Sequence, residues 1–220
     1  MTRVLPSSFL FRYSFAVPQR EAAGAALPLN LPDGCRLPFP GVLDDRDEFS
    51  ALKLAWNARG VAMSVEVAGK RRPPQCDPRR PTESDGLQVW FDTRDTQTIH
   101  RASRFCHHFC VLPTGSGRRN REPAAIQLPI ARAREDAPLV ESAAIPTLAE
   151  LRSDGYRLDV WIPAEALHGF DPEAVPRLGF YYLVRDSELG DQTLTVGEEF
   201  PYPHDPSVWS TLQLVTGARG

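Results

Sequence analysis

The sequence predicts an all-β protein: two packed antiparallel sheets in a sandwich, with only a few short helical turns. Three observations carry this reading. Short runs at Asp85–Arg94, Gly155–Pro163 and Leu178–Asp186 alternate apolar with polar or aromatic residues and are bounded by Gly, Asp or Pro, as strands buried on one face do. The chain has 21 prolines in 220 residues, about twice ordinary usage, which suits ordered loops and opposes long helices. No helical periodicity extends beyond about two turns.

Length and composition fit one soluble globular domain over residues 1–220, with 42% hydrophobic and 24% charged residues. No apolar run approaches the roughly 18 residues of a membrane span. The early Phe9-Leu10-Phe11 is broken by Arg12, so no signal peptide is read and a cytoplasmic address is expected. Four cysteines, Cys35, Cys76, Cys106 and Cys110, are too few and too unevenly spaced for a disulfide framework. Residues 70–134 hold 13 basic against 6 acidic residues. No nucleic-acid motif accompanies them, so they read as solvated loop charges or as a positive rim that attracts a carboxylate or phosphate group.

Along the chain, Phe9–Val17 reads as a first strand and 18–40 as a proline-rich connection packed on the body. Leu52–Trp56 and Val61–Val67 form a hairpin through Asn57–Gly60. Lys70–Ser84 is a basic, proline-broken loop. Strands follow at Gly86–Thr93 and at Phe105–Leu112, the latter ending at Pro113–Gly117. Glu141–Leu151 and Tyr156–Ile162 form a long hairpin through the Asp154-Gly155 turn. Ala164–His168 is a single helical turn after Pro163, Arg177–Asp186 a central strand, and Trp209–Val215 the closing strand.

Alternation puts Leu87, Val89 and Phe91 on one face and Gln88, Trp90 and Asp92 on the other. It likewise separates Tyr156, Leu158, Val160 and Ile162 from Arg157, Asp159 and Trp161. If the apolar sets face the core, Trp90 and Trp161 supply an aromatic platform with polar neighbours. Apolar C–H faces of a sugar stack on such rings, while hydroxyls pair with Gln, Asp and Arg. The competing reading is that loops cover this face and the tryptophans pack a second small core.

Cys106, His108 and Cys110 share a strand face and are the candidate metal ligands, with Cys76 the evident thiolate from outside. A compact site draws ligands from more than one segment, so buried structural cysteines are the expectation. No cofactor is expected; calcium and zinc stay open without a motif to support them, and haem finds poor axial ligands, since the only methionines are Met1 and Met63. No spacing argues for a nucleophile or a carboxylate pair, so the chain is not expected to be an enzyme.

Several segments recur in one order. They are Leu54-Ala55-Trp56-Asn57 to Gly60-Val61, Asp85–Asp92, Gly155–Pro163, Leu167, the Gly179-Phe180 strand, and Pro206–Leu214. This order resembles the family 9 carbohydrate-binding modules and their DOMON-like relatives over about residues 40–216. The resemblance implies an antiparallel β-sandwich that binds sugars, or in some branches haem, on one sheet face. In the sugar-binding members two aromatic side chains sandwich the sugar. One comes from the loop before the strand matching Asp85–Asp92, the other from the segment before the last strand. Phe200 or Tyr202 would supply the second ring. The first loop, Pro73–Ser84, contains no aromatic residue.

The expected function is therefore a non-catalytic module binding a carbohydrate or another small polar ligand, neutral or anionic. Trp90, Trp161 and Phe200 or Tyr202 would stack, and Gln88, Asp92, Arg94, His100, Arg104 and Arg185 would make polar contacts. The alternatives are a protein-interaction or structural subunit whose aromatic face docks a partner, a small Cys/His metal-binding protein, and a haem-binding DOMON-like protein. Neither nucleic acid nor membrane is expected as a partner.

Overall fold

The computed structural model describes residues 5–21, 23–24 and 26–216. Among these are eleven strands. In order they are β1 Ser14–Pro18, β2 Ser50–Asn57, β3 Gly60–Ala68, β4 Gly86–Asp92, β5 Cys106–Ser116, β6 Glu122–Leu128, β7 Thr147–Arg152, β8 Gly155–Pro163, β9 Arg177–Asp186, β10 Gly190–Thr193 and β11 Ser210–Val215. The helical segments among the described residues are short 3-10 turns, and no helix is long and apolar enough to cross a membrane.

The strands form two sheets. The larger runs β1-β11-β9-β4-β5-β6, with β10 added beside β9; the smaller runs β2-β3-β8-β7. All pairings are antiparallel except that of β1, which joins β11 in parallel. The β2–β3 hairpin turns through Ala58 and Arg59, with Asn57 Oδ1 accepting the Arg59 N–H at 2.8 Å. Gly60 must follow: its φ is +147°, and a Cβ there would lie 2.2 Å from the Ile162 carbonyl of β8.

The core lies between the sheets. Leu54, Met63, Val65, Leu158 and Val160 of the small sheet meet Leu87, Val89, Phe91, Phe109, Phe180 and Val184 of the large one. Every second residue of these strands is buried here, each contributing about 1.5–3 kcal/mol when fully withdrawn from water. One ionic group is enclosed as well. The Lys70 ammonium, its side chain 2% exposed, lies between Asp85, at 3.2 Å, and Asp186. Asp85 also accepts the N–H of Gln75 at 3.0 Å and that of Ser187 at 2.7 Å. The basic loop is thereby fastened to the end of β9.

The proline-rich connection spreads over the outer face of the small sheet. Arg20 N donates to Trp56 O, Leu29 N to Asp159 Oδ2 and Leu37 N to Leu52 O. Beneath it Ala23, Leu31 and Cys35 pack with Ala55, Ala62 and Trp161 as a second small cluster. Gly24 sits so close that a Cβ would fall 2.2 Å from the Trp161 ring.

Several element boundaries differ from the expectation. The first strand begins at Ser14, not Phe9, because Ser7–Leu10 forms a 3-10 turn. Ser142–Ala144 is a 3-10 turn, so the hairpin strand starts at Thr147. β6 and β10 were not expected. The first opens Glu-Pro-Ala-Ala, a proline and small residues that weaken the strand signal before Ile126-Gln127-Leu128, and the second reads Gly-Asp-Gln-Thr, with no apolar residue.

Candidate functional site

The outer face of the large sheet carries the densest group of aromatic and polar side chains. Across β4 and its neighbours, Trp90 pairs with His108 of β5 and Tyr181 of β9. His108 stacks on Trp90 with ring centroids 4.2 Å apart. Tyr202, from the loop between β10 and β11, stacks on Tyr181 at 4.5 Å and meets the Trp90 ring edge-on at 5.5 Å. Trp90 is 1% and Tyr202 6% exposed. The loop is pinned where Trp209 Nε1 donates to the Tyr202 carbonyl at 2.8 Å and the Tyr181 hydroxyl donates to the Val196 carbonyl. The Trp90 indole N–H is buried with no partner.

Polar groups border this cluster. Gln88 Nε2 and Arg185 Nη1 both donate to the Thr82 carbonyl, at 3.1 and 2.6 Å. Arg185 forms a two-pronged ion pair with Asp191, at 3.0 and 2.6 Å, the strong geometry for a guanidinium and a carboxylate. His108 Nε2 lies 3.3 Å from Gln88 Oε1. Burial pushes the His108 pKa down to about 3, so the neutral ring donates to Gln88.

Four of the expected ligand residues, Gln88, Trp90, Arg185 and Tyr202, therefore converge, and Phe200 lies on the same loop as Tyr202. The others do not. Trp161 belongs to β8 in the small sheet, under the proline-rich connection, so it cannot share a platform with Trp90; alternation assigns a side of a strand, not a side of the sandwich. Asp92 is a loop cap that accepts the N–H groups of Arg94 and Thr96 at 2.9 and 2.6 Å. Arg94 and Arg104 place their guanidinium groups over Phe105, 4.6 and 5.2 Å from its centroid, beyond the end of β4.

His100 Nδ1 lies 3.2 Å from Asp205 Oδ2 and 3.1 Å from Ser207 Oγ. These are the residue types of a nucleophilic triad in a different arrangement. A triad histidine holds its carboxylate with one nitrogen and its serine with the other, whereas here one nitrogen carries both contacts. Cys110 Sγ is 3.7 Å from His108 Nε2, and Cys106 Sγ is 4.0 Å from Ser103 Oγ. Burial pushes both thiols up to about 12. Among the described residues no three His, Cys, Asp or Glu side chains converge as metal ligands do.

Beside Tyr202 opens a cavity of about 360 Å³ whose lining includes Arg46, Asp191, Thr193, Thr195, Glu198 and Glu199. Arg46 Nη1 donates to Thr193 Oγ1 at 2.6 Å, and its Nε is buried without a partner. No lining residue comes from the basic segment 70–134; the expected positive rim lies elsewhere, and carboxylates dominate here. Sequence reasoning missed Arg46, Asp191 and Thr193. The last two sit on β10, which has no apolar pattern to announce it.

The architecture matches solved structures almost end to end. A family 9 carbohydrate-binding module from Caldicellulosiruptor kristjanssonii, solved with glucose, aligns with a TM-score of 0.60 over 94% of this chain and 98% of that one, at 13% identity. The fold is that of the family 9 modules. The same organism's module in complex with cellotriose aligns at 0.58, 14% identity, over 94% and 96% of the two chains. A putative carbohydrate-binding protein from Bacteroides uniformis aligns at 0.55, 16% identity, over 92% and 99%. No family model matches the sequence, and no curated protein matches it.

The aromatic arrangement differs from the one the resemblance implies. The loop before β4 contributes no ring. Of the two candidate rings before the last strand, Tyr202 is folded inward on Tyr181 and Phe200 stacks on Phe9 at 4.5 Å.

Proposed function

We propose that this chain is a non-catalytic carbohydrate-binding module that holds a neutral sugar in the cavity beside Tyr202. The observation that carries the proposal is the composition of that cavity on the large sheet's outer side. An aromatic residue, two threonines, an arginine and several carboxylates meet in about 360 Å³. Sites for small polar ligands combine an apolar wall with a few converging polar groups. Carboxylates and guanidinium groups pair with sugar hydroxyls, and the inward-folded Tyr202 supplies an apolar wall of the cavity. The excess of carboxylates disfavours uronic acids and sugar phosphates by simple repulsion. The family 9 fold supports the ligand class, since the neighbouring modules were solved with glucose and cellotriose. The His100, Asp205 and Ser207 geometry, with one nitrogen serving both partners, supports a role without catalysis.

Thermal melting against glucose, cellotriose and glucuronate tests this. A ligand at 100 times its Kd stabilises a one-site protein by about 2.7 kcal/mol. The expected result is a rise in Tm with the neutral sugars, lost in Asp191→Ala and smaller for glucuronate. A flat response to both neutral sugars overturns the proposal.

A further inference from the structure

We propose that the N-terminal arm, residues 6–13, builds a second stacking subsite beside the Tyr202 cavity, so that the ligand is an oligosaccharide and not a single sugar. This rests on the carbohydrate reading above and deepens it.

The arm was expected to be a strand, which would have placed Phe9, Phe11 and Tyr13 together on one face. Instead its 3-10 turn leaves Phe9 42% and Phe11 59% exposed. Adjacent exposed aromatic rings on a soluble protein mark a surface with something to bind. These two rings line a cavity of about 260 Å³ together with Arg12, Tyr13, Ser207 and Trp209.

That cavity adjoins the first. Thr195 lines both, and at the boundary Ser8 Oγ donates to the Thr195 carbonyl at 3.2 Å. Aromatic pairs flank both cavities. Tyr202 and Phe200 lie two residues apart on one loop, Phe200 stacks on Phe9 at 4.5 Å, and Phe11 meets Tyr13 edge-on at 6.3 Å. Polar groups accompany them, since the Tyr13 hydroxyl is buried without a partner and Arg12 Nη1 reaches Gln97 Oε1. Each cavity is near the lower end of the roughly 300–1,000 Å³ usual for ligand sites. Two such cavities in a row, each with a ring, suit successive units of a sugar chain, and linking two modest contacts raises affinity beyond either.

Calorimetric titration of the whole chain with glucose and with cellotriose tests this. The expected result is at least tenfold tighter binding of cellotriose, with Phe11→Ala bringing the trisaccharide down to within about threefold of glucose. Leu139→Ala, an exposed residue away from both cavities, leaves the ratio in place. Melting temperatures of both variants confirm their folding. Glucose binding as tightly as cellotriose, or a ratio untouched by Phe11→Ala, overturns the second subsite while sparing the carbohydrate reading. Failure of both sugars to bind removes the two together.

Discussion

His108 lies flat against Trp90, ring centroids 4.2 Å apart and planes 9° from parallel. The stack buries both rings on the large sheet's outer face and ties them into one unit. A charged imidazolium has no place there. Burial takes the His108 pKa to about 3, and that of His107, one residue earlier on the opposite face of β5, to about 4.

A pH dependence of stability follows, with a definite sign. In the unfolded chain both histidines take up protons near pH 6.5; in the folded protein they refuse them until about 4 and about 3. Protons therefore favour unfolding as pH falls below 6.5. Each histidine contributes up to about 1.4 kcal/mol per pH unit. Asp92, raised by burial, works in the opposite direction at the lower end of this window. Denaturant midpoints should fall steadily from pH 6.5 to 4.5. The paired substitution His107→Gln/His108→Gln should flatten that slope, and an unchanged slope would contradict the account.

Lys70 is the second point of vulnerability. Removing its ammonium leaves Asp85 and Asp186, both buried, facing each other without a counter-charge. Breaking a buried pair in this way costs about 3–5 kcal/mol. Lys70→Met should lose that much in urea unfolding. A change below about 1 kcal/mol would show that the enclosed ion pair is not what holds the basic loop to β9.

The sandwich itself was legible because its central strands are buried in alternation. Leu87, Val89 and Phe91, or Leu158, Val160 and Ile162, announce both strand and face. β6 and β10 were not legible, because edge strands such as Gly190–Thr193 bury little and need no apolar period. The site was half legible. Alternation puts Gln88 and Trp90 on one face of β4, and the family resemblance singles out the segment of Tyr202; strand pairing and the loop before β11 bring Arg185 and Tyr202 to them. Trp161 has the same local pattern as Trp90 but sits on the other sheet, and only pairing between distant strands decides that. Phe9 and Phe11 read as strand residues because their i, i+2 spacing was regular; the 3-10 turn at Ser7–Leu10 overrode it. Arg46 and Asp191 carried no local signal, since their role depends on loops brought together from across the chain.

The most direct test of the account is amide chemical-shift mapping of the ¹⁵N-labelled protein titrated with glucose and with cellotriose. The account predicts shifts that cluster at residues 191–202 and at Arg46, extending to 8–13 only with cellotriose, while 155–163 around Trp161 stays silent. Shifts centred on the small sheet, or none at saturating sugar, would contradict it.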